Sequence, residues 1–423
     1  MTAEAPAPRH RLARNGRYLT WLISDTASGL THALASFAIP LLALVVTDDP
    51  AQAGTIGAVG LAVRVVTTLA GGVLADRHRR LRLMLVGAVA GLVLAAAFTT
   101  LASSEALTFS TLLVVNTLIA AREGVFGVAG ESALKEIVPS EAMGRAQAAN
   151  QGRDALLSLA GGPLGGLLLT AGGWLVGAAM TLCQLAATTT AWMLRRGGRA
   201  TPSAEERGRS TAFREAREGI AWLLARRDLR DVLLVTTIVN LGFTTGMTTV
   251  VYSLQQDGRS PATIGWVTAG ISVAMLAGAL FGPALVSRVR AGTLLIAGLV
   301  GATGGILALA FVSTPLATVL VLGVAVLGIP ALNAGLLGYF TVATPSRLLG
   351  RANSALQVFS TGAMPLAPLI AGFGLAWLGR ETTLLLAAAI CVAATGLAAS
   401  SSSLRSLPAE PGWVAHARRF GSE

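Results

Sequence analysis

The chain alternates between apolar stretches and short polar connections. A helix needs about 20 consecutive apolar residues to cross a hydrocarbon core of about 30 Å. Twelve stretches reach this length, so the pattern predicts an all-α integral membrane protein with twelve transmembrane helices. The predicted spans are Tyr18–Val46, Gly54–Leu74, Leu83–Ser103, Leu107–Ala129, Ala146–Thr170, Trp174–Leu194, Leu229–Leu254, Thr263–Val286, Thr293–Phe311, Pro315–Phe340, Ala352–Leu378 and Thr382–Ser402.

One long polar segment divides these spans into two sets of six. Within it, Phe213, Ala216, Ile220, Leu223 and Leu224 recur at helical spacing, which predicts an amphipathic helix at the membrane surface. The predicted organisation is a tail over residues 1–17, a first six-helix half over 18–194, a linker over 195–228, a second six-helix half over 229–403 and a tail over 404–423.

Composition agrees with a membrane protein. Of 423 residues, 53% are hydrophobic and 13% are charged, whereas a soluble domain has about a quarter charged residues. Cys183 and Cys391 both lie inside predicted spans, so we expect no disulfide, metal site or cofactor. The sequence has no G-x-x-x-x-G-K-[ST] nucleotide-binding loop, and we expect no enzymatic activity.

The net charge of +11 is placed on one side of the predicted spans. Such an excess marks the cytoplasmic side of a membrane, so both termini are predicted to be cytoplasmic and nucleic acid is not an expected partner. The predicted cytoplasmic residues are Arg9, Arg14, Arg17, Arg77–Arg82, Lys135, Arg145, Arg195, Arg196, Arg199, Arg207, Arg209, Arg288, Arg290, Arg347, Arg351, Arg405, Arg418 and Arg419.

The connection between the second and third spans combines small, acidic and basic residues. Gly72, Leu74, Asp76, Arg77, Arg80 and Arg82 form a G-x-L-A-D-R run with a basic cluster. This run resembles the signature loop of major facilitator superfamily transporters, although Arg79 stands where the family usually has a second glycine. The resemblance implies that Asp76 contacts the start of the eleventh span near Arg351 and closes the cytoplasmic side. A solvated loop charge is the alternative.

Two further segments extend the resemblance. Pro139–Ala146 is similar to Pro345–Ala352, which indicates two halves related by a parallel repeat. Together with Ala212–Leu233, these segments resemble the bacterial branch that contains macrolide-efflux and enterobactin-export proteins. The resemblance implies a small-molecule substrate, a multi-pass position in the bacterial inner membrane and a monomeric protein.

The fifth predicted span has a run of small residues around a proline. Gly162, Pro163, Gly165 and Gly166 resemble the antiporter motif of the superfamily, with Ser158 in place of its first glycine. Small residues allow close helix packing, and a proline bends the helix. The motif is associated with exporters. Packing alone is the alternative explanation.

Several ionisable residues lie inside the predicted spans. Five of them are candidates for function: Asp25, His32, Arg64, Arg122 and Glu123. A charge at the bilayer centre costs about 2.5–3.5 kcal/mol, so such residues indicate function. Histidine titrates near neutral pH, and removal from water favours a protonated carboxyl group. We therefore predict proton coupling through these five residues, with Asp25 and His32 as two steps of one path. Static pairs of Arg64 with Asp25 or Glu123 are the alternative.

Candidate substrate contacts are a weaker prediction, because polar and aromatic residues inside spans also serve packing. The candidates are Asn240, Phe243, Asn333, Tyr339, Gln357 and Phe359.

The expected function is secondary active transport by alternating access. We predict proton-coupled efflux of a small hydrophobic or amphipathic compound, such as a drug, a siderophore or a secondary metabolite. A proton symporter that imports a small nutrient, and a membrane sensor on the same fold that transports nothing, are the alternatives.

Overall fold

The computed structural model describes residues 12–196 and 221–420, and these residues are helical throughout apart from turns and short connections. Most of the predicted amphipathic helix of the linker lies outside the described residues. The helices are α1 (Gly16–Thr47), α2 (Pro50–Arg77), α3 (Arg80–Ser103), α4 (Phe109–Ile137), α5 (Ser140–Ala171), α6 (Gly173–Arg196), α7 (Arg227–Gln256), α8 (Pro261–Arg288), α9 (Ala291–Leu309), α10 (Pro315–Val326), α11 (Ile329–Ala343), α12 (Ser346–Gly362), α13 (Leu366–Trp377), α14 (Gly379–Ser400), α15 (Ser402–Arg405) and α16 (Trp413–Phe420).

Eleven segments of the described chain are helical, long and apolar enough to cross a membrane. One of them combines α10 with α11, and another combines the end of α12 with α13, so the tenth and eleventh predicted spans are each broken in the middle. The helix α6 has 24 residues but is less apolar, because it contains Gln184 and three successive threonines. The all-helical membrane fold is confirmed. Twelve crossings and cytoplasmic termini stay predictions.

The helix bundle has two ends. We call one the terminal end, which contains Gly16, the connection between α2 and α3 and the last residues of α14. We call the opposite one the distal end. At the distal end, α2, α8 and α10 each begin with proline after Asp49, Ser260 or Thr314, whose side chain accepts a backbone N–H of the first turn. Proline at the first position lacks an N–H that would have no partner there. These caps define sharp helix starts at the distal end.

The two halves repeat one internal contact. In the first half, Thr99 of α3 hydrogen-bonds Thr181 of α6 at 3.0 Å. In the second half, Thr303 of α9 hydrogen-bonds Thr395 of α14, also at 3.0 Å. Each pair joins the third and sixth helices of its half, as expected for a parallel repeat.

The halves meet closely at the distal end. A Cβ atom on Gly162 of α5 would lie 3.0 Å from the carbonyl oxygen of Gly265 of α8, and a Cβ atom on Gly265 would collide with the carbonyl of Gly162. Likewise, a Cβ atom on Gly54 of α2 would lie 3.1 Å from the Cα of Gly372 of α13. Only glycine permits backbones to approach this closely.

Two hydrogen bonds between the halves accompany these contacts. Gln255 of α7 donates its side-chain amide to the carbonyl of Leu41 of α1 at 2.8 Å. The backbone N–H of Ala262 donates to the Thr170 hydroxyl at 3.2 Å. Both lie at the distal end, so the distal end is closed in this structure.

The last part of the chain is more than a polar tail. Leu404 and Leu407 are fully buried and Trp413 is 5% exposed. The carbonyls of Leu407 and Pro408 accept the backbone N–H groups of Gly292 and Ala291 at the start of α9. This segment therefore caps a helix of the second half.

We predict that Gly265→Val opens the distal end. The added side chain cannot fit against the Gly162 carbonyl, and overpacking of this kind costs about 1–3 kcal/mol. Spin labels at Ala106 and Asp257, in exposed distal connections of the two halves, should show a longer distance by pulsed electron resonance. Gly304→Val is the matched control, because a Cβ atom there has no contact within 4 Å. An unchanged distance distribution in Gly265→Val would contradict the prediction.

Candidate functional site

A cavity of about 340 Å³ lies between the halves. Helices α1, α2 and α4 form one wall, and α7, α8 and α13 form the other. Most of its lining is apolar, as Phe37, Ile56, Ile119, Met247 and Val251 illustrate. A cavity of this kind, with a few polar groups, suits a small amphipathic molecule.

His32 and Glu123 form the shortest polar contact in this cavity. The Nδ1 atom of His32 on α1 lies 2.7 Å from Oε1 of Glu123 on α4. The His32 side chain is 46% exposed and the Glu123 side chain is 16% exposed. The carboxylate is thus partly buried, while the imidazole remains open to the cavity.

Arg64 completes this polar wall from α2. Its Nη1 atom lies 3.5 Å from Nε2 of His32. In the described part of the chain, the structure gives Arg64 no ion pair with a carboxylate. The alternative explanation paired Arg64 with Asp25 or Glu123, whereas its hydrogen-bond partner in the structure is His32.

The hydrogen-bonding capacities of these groups assign the His32 ring nitrogens. An ionised carboxylate only accepts and a guanidinium only donates. Neutral His32 therefore donates from Nδ1 to Glu123 and accepts from Arg64 at Nε2. A proton that binds Nε2 creates an imidazolium, which strengthens the contact with Glu123 and repels Arg64. Protonation of His32 thus changes the position favoured by Arg64.

Arg122 turns away from this wall. Its Nε donates to the carbonyl of Gly87 on α3 at 2.7 Å, and its Nη2 donates to Oε1 of Gln184 on α6 at 3.4 Å. Arg122 is absent from the cavity lining. It fastens α3, α4 and α6 together and acts on Glu123 only through its charge.

Asp25 belongs to a separate ion-pair cluster. Its Oδ2 lies 2.8 Å from Nη2 of Arg153 on α5, and Arg153 also contacts Asp154 at 2.7 Å. The Arg153 guanidinium lies 5.8 Å from the ring centroid of Trp21. Asp25 lies about 10 Å from His32 along α1 by helical rise, and it does not line the cavity. The two predicted steps of one path are therefore in different surroundings.

The polar residues of the opposite wall are uncharged. Thr244, Thr248 and Tyr252 of α7 line the cavity, as does Thr268 of α8. In the first half, Asn116 lies about two helical turns from Glu123 along α4 and donates to the Ile56 carbonyl at 2.9 Å. Sequence analysis missed these residues. The spacing of Thr244 and Thr248, four residues apart in an apolar span, was the available signal.

None of the six predicted substrate contacts lines this cavity. Asn240 donates to the Ser360 carbonyl at 3.3 Å, and Phe243 packs against the apolar core. Asn333, Gln357 and Phe359 are exposed elsewhere. Tyr339 is fully buried and donates to Asp228 at 2.8 Å. These six residues therefore lie outside this cavity, and their role as substrate contacts stays a prediction.

The small residues of α5 divide between two neighbours. A Cβ atom on Gly162 or Gly166 would press on α8 of the other half, whereas one on Gly165 would lie 2.8 Å from Phe37 of α1. Pro163 lies inside α5, and Ser158 is exposed. Only part of the run therefore packs across the halves.

The predicted gating loop is described in part. Arg80 donates from Nη1 to the carbonyl of Ser132 on α4 at 3.1 Å. A Cβ atom on Gly72 would have no contact within 4 Å. The side chains of Asp76, Arg77 and Arg351 lie outside the described part of the structure, so the predicted contact near Arg351 stays a prediction.

Known proteins share this sequence pattern and fold. The chain matches the model of the Major Facilitator Superfamily over residues 22–258 and 232–415. A comparison with curated protein sequences gives no match.

Solved structures with this fold include three transporters. A variant of the nucleoside transporter NupG has 11% sequence identity and a TM-score of 0.70, covering 90% of this chain and 99% of its own. A bacterial homologue of the human lysosomal transporter Spinster, inward-facing and unoccupied, has 13% identity and a TM-score of 0.69, covering 96% and 98%. A bacterial homologue of the iron transporter ferroportin, inward-facing, has 15% identity and a TM-score of 0.68, covering 91% and 100%. The TM-scores show a shared fold, and at identities this low the comparison shows the fold alone.

We predict that the losses of apparent Tm caused by His32→Ala and Glu123→Ala are not additive. Both remove the same hydrogen bond, and contacting residues couple by about 0.5–3 kcal/mol. The double variant should therefore lose less apparent Tm in detergent than the two single losses combined. The control is the pair His32→Ala and Thr395→Ala. Because Thr395 lies in the other half, the Tm losses of these two variants should add. Additive losses for the first pair would show that the two side chains do not interact.

Proposed function

This chain belongs to the major facilitator superfamily, a family of membrane transporters, and we propose that it moves a small amphipathic compound by proton-coupled alternating access. The substrate binds in the cavity between the halves. The proton binds the His32–Glu123 pair. The proposed location is a bacterial inner membrane, with the chain working as a monomer.

The observation that carries this proposal is the 2.7 Å contact between His32 and Glu123 in the cavity wall. A carboxylate and an imidazole in contact can share a proton. Because His32 is 46% exposed, its Nε2 atom can exchange a proton with the cavity. Asp25 with Arg153 is proposed as a further step towards the terminal end.

Two directions follow from two different observations. The run of small residues around Pro163 resembles that of exporters, which supports efflux in exchange for protons, as in the macrolide-efflux and enterobactin-export branch. The charge around the cavity supports a second candidate. Arg64 in the wall and Arg122 behind it supply two positive charges near Glu123, and this excess over the one carboxylate favours a proton and an anionic substrate moving together. The direction of the effective pH gradient distinguishes exchange from co-transport.

We predict that Glu123→Gln uncouples transport from protons. The purified chain is placed in liposomes with a pH-sensitive dye and a panel of antibiotics, siderophores, lipid-like metabolites and peptides. The neutral amide of this variant cannot hold the imidazolium, so transport driven by a pH gradient should fall to the level of protein-free liposomes. Exchange of labelled for unlabelled substrate without a gradient should continue, because the cavity remains.

The controls separate the pair from other acids. Glu105→Gln makes the same change in an exposed distal connection and should transport as the unsubstituted chain does. Asp25→Asn tests the proposed further step and should slow coupled transport. Full coupling in Glu123→Gln, at equal protein levels, would remove the pair from the mechanism.

A further inference from the structure

Among the described residues, the cavity lining contains one arginine, Arg64, and one carboxylate, Glu123, and a second arginine, Arg122, lies behind the wall, so arginines outnumber carboxylates around the cavity. His32 already engages the Glu123 carboxylate. Arg122, behind the wall, donates to Gly87 and Gln184 instead. Among the residues that the structure describes, the one hydrogen-bond partner of the Arg64 guanidinium in this largely apolar cavity is a neutral ring nitrogen of His32 at 3.5 Å.

We propose that the transported compound is an amphipathic organic oxyanion, whose acidic group binds Arg64. This proposal rests on the proposed proton-coupled transport through the cavity. A guanidinium offers five N–H donors in a plane and pairs with carboxylates in a two-pronged geometry. Its one long contact with His32 leaves most of these donors for a ligand. A charge held in an apolar surrounding gains most from an opposite charge.

The remainder of the cavity selects the rest of the molecule. Its apolar lining and volume of about 340 Å³ accommodate a compact hydrocarbon or aromatic body. Across from Arg64, the hydroxyls of Thr244 and Thr248 have no hydrogen bond to another described residue and can contact one polar group of the substrate. A cationic compound has only Glu123 to bind, and it would have to displace His32.

The charges around His32 determine how this anion and the proton influence each other. They are Arg64 on α2 and Arg122 with Glu123 on α4, whereas the lining residues of α7, α8 and α13 are uncharged. An anion on Arg64 offsets the positive charge that opposes protonation of Nε2. Anion and proton therefore bind with positive cooperativity, and by linkage each increases the affinity of the other. This sign favours co-transport over exchange.

The test uses three naphthalene compounds that differ only in one group: a carboxylate, a carboxamide and a methylamine. Binding to the full chain in detergent is followed by thermal shift as a function of concentration. The carboxylate should stabilise the protein, and the two other compounds should not. Arg64→Gln should weaken carboxylate binding by at least about tenfold, and Arg64→Lys by less, because a lysine keeps the charge but loses the two-pronged geometry. Arg259→Gln, in an exposed distal connection, is the matched control.

A second measurement separates this proposal from the proposed function. In weakly buffered detergent solution, carboxylate binding should take up protons, and Glu123→Gln should bind the carboxylate without that uptake. If the unsubstituted chain binds the carboxylate without taking up protons, the proposed oxyanion site stands and the proposed proton coupling is contradicted. Equal binding of all three compounds, or unchanged binding in a folded Arg64→Gln chain, would overturn the oxyanion proposal even where pH-driven transport is observed.

Discussion

The polar wall of the cavity depends on how closely α2 and α4 pack. Charged groups in a hydrocarbon environment are tolerated only when they are paired or face a cavity. Asn116 of α4 holds the Ile56 carbonyl of α2 at 2.9 Å, and the same two helices carry Glu123 and Arg64. This packing places the Glu123 carboxylate and the Arg64 guanidinium in one wall, and α1 adds the His32 imidazole, which contacts both.

The second half supplies a different kind of wall. Its buried charges lie at the terminal end, away from the cavity. Asp228 is fully buried, accepts two hydrogen bonds from Arg226, at 3.1 and 2.7 Å, and accepts a third from Tyr339. The Tyr339 hydroxyl also contacts Nδ1 of His416 at 3.0 Å, so α16 is fastened to α7 and α11. Such a network rigidifies its surroundings. The charged residues that line the cavity therefore belong to the first half, whereas the buried charges of the second half lie in this separate network.

The sequence was informative where one residue type had one physical explanation. Uninterrupted apolar length predicted the helices, and Arg64 and Glu123 stood out because charge inside a span is costly. Partners could not be predicted, since they depend on how helices distant in sequence pack. Arg153 was overlooked as the partner of Asp25 for that reason. The burial of Tyr339 and its bond to Asp228 could not be predicted either, because a buried hydroxyl in a structural network has the same sequence signature as one in a binding site.

The helices that carry the polar wall also close the distal end. On α1, His32 precedes Leu41, whose carbonyl accepts the hydrogen bond of Gln255 from the other half. On α2, Arg64 follows Gly54, which packs against Gly372 of α13. A helix transmits a displacement along its length, because its backbone hydrogen bonds make it stiff. Under the proposed function, a protonated His32 repels Arg64 and so favours separation of α1 from α2. Both helices, together with α5, contact the second half at the distal end. Charge in the cavity is therefore linked, under this proposal, to closure of the distal end.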